Sequence, residues 1–169
     1  MTVSRQTGRG AWGQRLAECL PLYGHRNWIV VADAAYPAQA RPGIETIVAD
    51  ADQIATVRTV LDAISACRHI RANIYTDAEI GYVEEGDASG ISAYRRQLDS
   101  LLGGSTRNQL PHEEIIARLD RSAEMFRILI VKTDMIIPYT SVFFELDCGY
   151  WNAEAEGRLR GSMKASQGR

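Results

Sequence analysis

The chain has 169 residues, of which 46% are hydrophobic, so a single domain can bury a core without disulfide bonds or a structural metal. Its 19 basic and 21 acidic side chains give a formal net charge of -2 without long blocks of like charge, and we expect no nucleic-acid partner. The three cysteines, at 19, 67 and 148, show no disulfide or zinc-ligand spacing, which favours the reducing cytoplasm.

The polar start of the chain, residues 1–10, lacks the apolar core of a signal peptide, and no later run approaches the roughly 18 apolar residues of a membrane span. We therefore expect a soluble, unexported protein with no membrane partner. Over residues 11–23, apolar side chains recur at helical spacing, and Gly24 is suited to end that helix. Trp28–Ala32 is an apolar run bounded by Asp33, which predicts a strand buried on both faces.

A second strand and a second helix follow along the chain. Ile44–Val48 has the composition of a strand, and residues 52–66 carry apolar side chains at three- and four-residue steps behind a capping Asp52. Residues 72–76 predict a third strand, and Ile91–Leu102 returns to a helical pattern. Strands and helices therefore alternate through the first hundred residues.

The remaining elements continue this alternation. Pro111 at a first helical turn begins another helix, and residues 126–131 and 141–146 predict two more apolar strands. Interleaved strands and helices predict an α/β fold, a single sheet of mostly parallel or mixed strands covered by helices. We expect one domain over residues 1–151 and a polar C-terminal tail over residues 152–169.

Two polar residues flank the first predicted strand. His25 precedes the strand and Asp33 follows it, so an extended strand separates them by tens of ångströms at roughly 3.3 Å per residue. They can share a site if the chain bends or if two subunits contribute to one groove. Without a shared site, His25 is a charge partner for the preceding helix and Asp33 caps a turn.

Other polar residues have simple structural interpretations as well. His112 can be an exposed residue of a first helical turn, and Tyr139 can pack its ring beneath the sheet. His69, beside two arginines, fits a solvated or helix-capping surface. The acidic residues 84–87 lack the alternating ligands of a calcium loop, and no glycine pair lies between a strand and a helix as a nucleotide loop does. We therefore predict no metal and no nucleotide cofactor.

The segment around the first strand carries a resemblance. Gly24 and His25, an apolar strand, and then Asp33, Ala34 and Pro37 resemble the N-terminal signature of the ribose pyranase / fucose mutarotase family.

The resemblance continues further along the chain. Residues 46–50 are similar to the next strand of fucose mutarotases, and residues 138–142 are similar to the family's Tyr-x-Asn before its final strand. Ser141 stands where the family usually has Asn, and a hydroxyl cannot make the paired contacts of an amide. His112 falls where ribose pyranases place a further histidine.

This resemblance implies an RbsD-like fold and a cofactor-independent sugar isomerase that interconverts anomeric or ring forms of an aldose by general acid/base catalysis. It implies His25, Asp33 and His112 as catalytic residues, with Tyr139 and Ser141 binding a monosaccharide substrate and no metal. It also implies a ring-like homo-oligomer with sites near subunit boundaries.

Two other classes of function are open at this point. A non-catalytic monosaccharide-binding or regulatory protein of the same fold would use the same polar groups without moving protons. A metal-dependent enzyme would use His25, Asp33 and His112 as ligands, because imidazole and carboxylate groups commonly bind metal ions.

Overall fold

The first strand of the sheet is the apolar run Trp28–Ala32, all five residues of which are buried. Ile29 and Val31 belong to the hydrophobic cluster on one face of the sheet, and Trp28, Val30 and Ala32 belong to the cluster on the other. This alternation of faces is the period-two pattern of a strand. The strand therefore needs covering on both sides.

The computed structural model describes residues 10–167, so the expectation for residues 1–10 concerns a segment of which only Gly10 is described. The strands are β1 Trp28–Ala32, β2 Ile44–Val48, β3 Ile70–Asp77, β4 Arg107–Leu110, β5 Ile128–Lys132 and β6 Val142–Cys148. The α-helices are α1 Ala11–Cys19, α2 Gln53–Ser65, α3 Ile91–Leu102, α4 His112–Ala123 and α5 Ala153–Gln167, with a short 3₁₀ helix at Ala78–Gly81.

The six strands form one mixed sheet in the order β2-β5-β1-β6-β3-β4. β5 runs parallel to β1 and β2, and β4 runs parallel to β3. β6 lies between β1 and β3 and runs antiparallel to both. The carboxyl ends of β1 and β3 therefore meet the beginning of β6 at one edge of the sheet. The predicted α/β class with a single mixed sheet is confirmed.

Helices cover both faces of this sheet. The buried hydrophobic residues of α1, α2 and α3 belong to the larger hydrophobic cluster, and those of α4 belong to the smaller one. Asp52 caps α2 as predicted, since its side chain accepts a hydrogen bond from the Ala55 N–H at 2.9 Å. None of the helices within residues 10–167 has the length and apolar character needed to cross a bilayer.

Three elements of the described residues were not predicted from the sequence patterns: the 3₁₀ helix Ala78–Gly81, β4 and α5. β4 is a four-residue edge strand paired with β3 alone, and its sequence is polar. α5 lies within the polar residues 152–169, its side chains up to residue 166 are exposed or half-buried, and residues 168 and 169 lie outside the described part.

Candidate functional site

A pocket of about 600 Å³ lies at the end of the sheet where β1 and β3 finish and β6 begins. Asp33 reaches it from the end of β1, Asp77 from the end of β3, and His112 from the first turn of α4. Tyr139 lines it from the loop before β6. Residues from four separate stretches of the chain therefore converge on one cavity.

The carboxylate of Asp33 is held by the turn that follows β1 and by the start of β6. Its Oδ1 accepts a hydrogen bond from the Ala35 N–H at 2.9 Å, and its Oδ2 accepts one from the Ser141 hydroxyl at 2.9 Å. The Asp33 N–H donates back to the Ser141 oxygen at 3.3 Å. Because Val31 pairs with Val142 in the sheet, Asp33 and Ser141 are adjacent despite their separation in sequence.

Ser141 is 2% exposed and is not among the residues that line the pocket. Its hydroxyl donates a hydrogen bond to Asp33, so within one chain it positions that carboxylate without lining the pocket itself. Direct contact between Ser141 and a substrate stays a prediction.

His112 is the first residue of α4, and both its backbone and its ring are held. Its N–H donates to the two carboxylate oxygens of Glu79 at 3.0 and 3.1 Å. Its ring Nδ1 lies 3.1 Å from Oδ1 of Asp77, and the ring meets Tyr139 edge to face with centroids 5.9 Å apart. The imidazole is therefore oriented from two sides.

Tyr139 has φ of 58°, in the left-handed region that non-glycine residues seldom adopt. The neighbouring residue Thr140 is fixed, since its hydroxyl donates to the Ile137 carbonyl at 2.7 Å and its own carbonyl accepts from the Tyr94 hydroxyl at 2.6 Å. With its backbone held in this unusual conformation, the Tyr139 side chain stays 38% exposed at the pocket. Strained conformations of this kind are concentrated at functional sites.

Asp77 is a functional candidate that the sequence reasoning missed. Its side chain is 1% exposed, and burial raises the pKa of the carboxyl to about 6 although the neighbouring His112 opposes the rise. The negative charges of Glu79 and Asp33 add to the increase in the pKa. Its position at the end of a predicted strand, like that of Asp33, was the one signal in the sequence that could have identified it.

His25 lies at the other end of β1 from the pocket. Its Nδ1 is 2.8 Å from Oδ1 of Asp147, and its side chain is 58% exposed. Arg71 donates to Oδ2 of the same carboxylate at 2.7 Å, because β3 and β6 place Arg71 opposite Asp147. The structure thus gathers four of the five predicted site residues within one chain and leaves His25 outside.

The charge state of Asp147 is set by these contacts. Partial burial acts to raise the pKa of its carboxyl, but hydrogen bonds from Arg71, the Cys148 N–H and His25 outweigh it and hold the pKa below the ordinary value. A carboxylate in this state is a hydrogen-bond acceptor only, which suits it to accept a hydrogen bond from an Nδ1–H of His25.

The remaining histidine and the metal alternative can be placed as well. His69 Nε2 lies 3.2 Å from the Leu20 carbonyl and 3.1 Å from that of Tyr23, in the turns after α1 and not at the end of α2, the helix that precedes it in sequence. Among residues 10–167, no three His, Cys, Asp or Glu side chains are grouped as a metal ion requires. His25 is also too far from Asp33 and His112 for the three to share an ion within one chain.

Several solved structures share this fold. Bacillus subtilis RbsD complexed with D-ribose is 19% identical, with a TM-score of 0.55, over 79% of this chain and 91% of that chain. The fucose mutarotase from Streptococcus pneumoniae in complex with L-fucose is 20% identical, with a TM-score of 0.50, over 79% and 91%. FucU from Bifidobacterium longum is 14% identical, with a TM-score of 0.51, over 79% and 94%. At such identities the similarity establishes the fold alone.

No curated protein matches this chain with significance. The model of the RbsD / FucU transport protein family, in contrast, matches residues 10–148, a range that contains all six strands and ends before α5. The resemblance read from the motifs around His25 and Tyr139 is therefore confirmed. The chain belongs to the RbsD / FucU transport protein family.

Proposed function

We propose that this protein accelerates the interconversion of anomeric or ring forms of an aldose by general acid/base catalysis without a cofactor. The observation that carries the proposal is the convergence of Asp33, His112 and Tyr139 on one pocket. Family membership supports it, as does the sugar in two structures of the same fold, RbsD with D-ribose and the fucose mutarotase with L-fucose.

The reaction requires two proton transfers. The anomeric hydroxyl loses its proton while the ring oxygen gains one, the bond between the anomeric carbon and the ring oxygen breaks, and an aldehyde is released. After the aldehyde rotates, or after a different hydroxyl attacks it, the same transfers run in reverse. Histidine commonly titrates near neutral pH, and positioned acid and base groups each contribute about 10²–10⁴ in rate.

The pocket offers one proton-transfer group and two groups that can hold the sugar. His112 exchanges a proton, and the Tyr139 hydroxyl donates or accepts a hydrogen bond at the sugar. The oxygens of Asp33 each accept one protein hydrogen bond and retain capacity for a sugar hydroxyl. The cavity of about 600 Å³ falls within the usual range for small-molecule sites.

His25 joins this chemistry from a second copy of the chain. Its ring is 58% exposed; its Nδ1 is engaged by Asp147, and its Nε2 accepts a hydrogen bond from the Arg26 Nε–H at 3.2 Å. Because the Arg26 side chain is itself on the surface, it can turn aside and release Nε2 to a neighbouring molecule. In this arrangement the two histidines act from two sides of the sugar, one as acid and one as base. The proposal therefore includes a homo-oligomer in which the His25 end of one subunit covers the pocket of the next.

We also assign this activity to the cytoplasm. All three cysteines are free thiols, the state that a reducing compartment maintains.

Saturation-transfer NMR on ribose, fucose and other aldoses tests the proposal directly. Wild-type protein should increase the rate of exchange between sugar forms for at least one aldose, and His112→Ala and His25→Ala should lose that increase. His69→Ala, which changes a histidine outside the pocket, serves as the control and should keep it. If the wild-type protein accelerates exchange for none of these sugars, the catalytic assignment is wrong.

A sugar-binding protein without catalysis is the second candidate. It is favoured by one observation: of the histidines in the described part of the chain, His112 alone lines the pocket. Heat of binding in calorimetry together with unchanged exchange rates would establish this alternative.

A further inference from the structure

Asp77 is the carboxylate that contacts the ring of the pocket histidine. It ends β3, its side chain is 1% exposed, and its Oδ1 lies 3.1 Å from Nδ1 of His112. Its Oδ2 is buried and has no hydrogen-bond partner within residues 10–167. A buried carboxyl with one unsatisfied oxygen lowers stability, so its presence needs a reason other than folding.

We propose that Asp77 is a positioning residue for His112: it accepts the Nδ1–H and thereby presents Nε2 as the ring nitrogen that exchanges protons in the pocket. This inference rests on the proposed function, in which His112 is an acid/base group. It adds a residue that the family resemblance did not include.

The ring of His112 has little freedom to turn towards another partner. Pro111 precedes α4 as its N-cap, and the His112 N–H is bound by both oxygens of Glu79, so the backbone is anchored. Tyr139 packs against the ring from the side. Because the backbone and one side of the ring are held, the ring keeps Nδ1 facing the Asp77 carboxylate.

The Asp77 carboxylate also fixes the tautomer of His112. A neutral imidazole carries one N–H and one lone pair, and an ionised carboxylate can only accept. Nδ1 next to the Asp77 carboxylate must therefore bear the hydrogen, which leaves the lone pair on Nε2. The same carboxylate also stabilises the imidazolium that forms when Nε2 takes a proton from a sugar hydroxyl.

The effect of Asp77 on His112 depends on pH. The titratable groups that face Asp77 are His112 on α4, Glu79 in the 3₁₀ helix, Asp33 after β1, Tyr36 in the same loop and Tyr94 on α3. Burial, helped by the charges of Glu79 and Asp33, raises the pKa of Asp77 to about 6. Below that pH the carboxyl is neutral and no longer dictates the tautomer of His112. The proton-exchange rate should therefore fall on the acid side as Asp77 gains its proton.

The experiment compares the wild-type protein with Asp77→Asn, which keeps the shape of the side chain, and with the control Asp87→Asn in an exposed turn. Nitrogen-15 NMR of the His112 ring reports the tautomer at about pH 7.5, where the Asp77 carboxyl, whose pKa is about 6, is ionised. We expect the Nδ1–H form in wild type and in the control, and a shift towards Nε2–H in Asp77→Asn. In sugar exchange, Asp77→Asn should lose about tenfold or more in kcat with KM changed little.

The pH profile supplies a second readout, because a purely structural carboxyl would not move it. The acid limb of the wild-type profile should change in Asp77→Asn and stay in place in the control. Wild-type His112 found as the Nε2–H tautomer, or ring nitrogen shifts that Asp77→Asn leaves unchanged, would overturn the inference.

The proposed function and this inference fail in different ways. Wild-type protein that accelerates no aldose removes the proposed function, whereas the ring nitrogen shifts decide the role of Asp77 independently. The wild-type tautomer can be measured even if Asp77→Asn folds poorly, so the inference does not depend on that variant.

Discussion

The two carboxyl groups at the pocket, those of Asp33 and Asp77, have different surroundings although each follows a strand. Asp33 accepts hydrogen bonds from the Ala35 N–H and the Ser141 hydroxyl, so both of its oxygens are engaged by the protein. Asp77 has a histidine on one oxygen and no protein partner within the described residues on the other. We assign the orientation of His112 to Asp77 because Asp77 contacts the ring, and we assign substrate contact to Asp33 because each of its oxygens can accept a further hydrogen bond at the pocket.

The buried carboxyl of Asp77 should make stability depend on pH. Its pKa is about 6 in the folded protein against an ordinary value of 3.8. A raised carboxyl pKa means that the contribution to stability is complete below the ordinary value and is lost as the pH rises through about 6. Asp77→Asn removes this loss, so the variant should gain stability relative to wild type between pH 4 and pH 8, by about 3 kcal/mol at most.

Urea unfolding of both proteins at the two pH values measures this difference in the free energy of unfolding. The prediction fails if the difference between variant and wild type is the same at both. A variant that is more stable near neutral pH and yet slower in sugar exchange would show that the burial of Asp77 serves function at a cost in stability.

At the scale of elements, β6 lies beside β1 and brings polar contacts to both ends of that strand. Ser141 precedes its first residue and contacts Asp33, and Asp147 near its end contacts His25. Because β6 runs antiparallel to β1 and β3, it supplies one partner to each end of β1. The position of β6 in the sheet therefore affects Asp33 at the pocket and His25 at the opposite end of β1.

Gly149, immediately after β6, is packed against the backbone before β3. A Cβ at this position would lie 2.8 Å from the Arg68 carbonyl oxygen and 2.9 Å from the Ile70 nitrogen. Backbone atoms cannot rotate away as a side chain can, so Gly149→Ala should lower the free energy of unfolding by about 1–3 kcal/mol. Denaturant unfolding checks this value.

Gly104 provides the matched control for this substitution. A Cβ there would meet nothing within 4 Å, so Gly104→Ala should leave stability close to that of wild type. Equal unfolding midpoints for the two alanine variants would contradict the close approach at Gly149.

The elements that could be predicted from the sequence are those in which burial dictates the pattern. β1 and β2 occupy the predicted ranges Trp28–Ala32 and Ile44–Val48, and α3 occupies Ile91–Leu102. β4 was missed because it pairs on one side only and its residues Asn108 and Gln109 are exposed, so no apolar pattern marks it.

The site was predictable to the extent that a motif marked it. Asp33, His112, Tyr139 and Ser141 were identified through family resemblance, and the structure brings them together at one end of the sheet. Asp77 has no such motif, and its contact with His112 joins residues 35 positions apart that meet only when α4 packs on β3. Tertiary contacts of this kind leave no periodic signal in a sequence.

At the scale of the whole molecule, His25 and the pocket lie at opposite ends of β1. Asp33 is eight positions after His25, which corresponds to at most about 26 Å for a fully extended chain. A second subunit can close this distance if its His25 end packs on the pocket of the first. Repetition of such a head-to-tail contact generates a ring when the rotation closes.

Mixing two inactive variants tests this arrangement. His25→Ala lacks one histidine and His112→Ala lacks the other, so each should accelerate sugar exchange poorly by itself. When the two chains are co-expressed and assemble at random, about one site in four combines His25 of one chain with His112 of the other and should recover wild-type exchange. Saturation-transfer NMR measures the recovered rate, and light scattering gives the size of the assembly.

The control for this mixture combines His112→Ala with Asp33→Asn. Both substitutions affect the same pocket of a chain, so every pocket in the mixed assembly carries one of them and no activity should return. Recovery in the first mixture but not in the second requires that His25 acts across a subunit boundary. A monomer by light scattering, or no recovery in either mixture while both proteins remain folded, would mean that His25 has no part in the site and that its contact with Asp147 serves the structure of the chain alone.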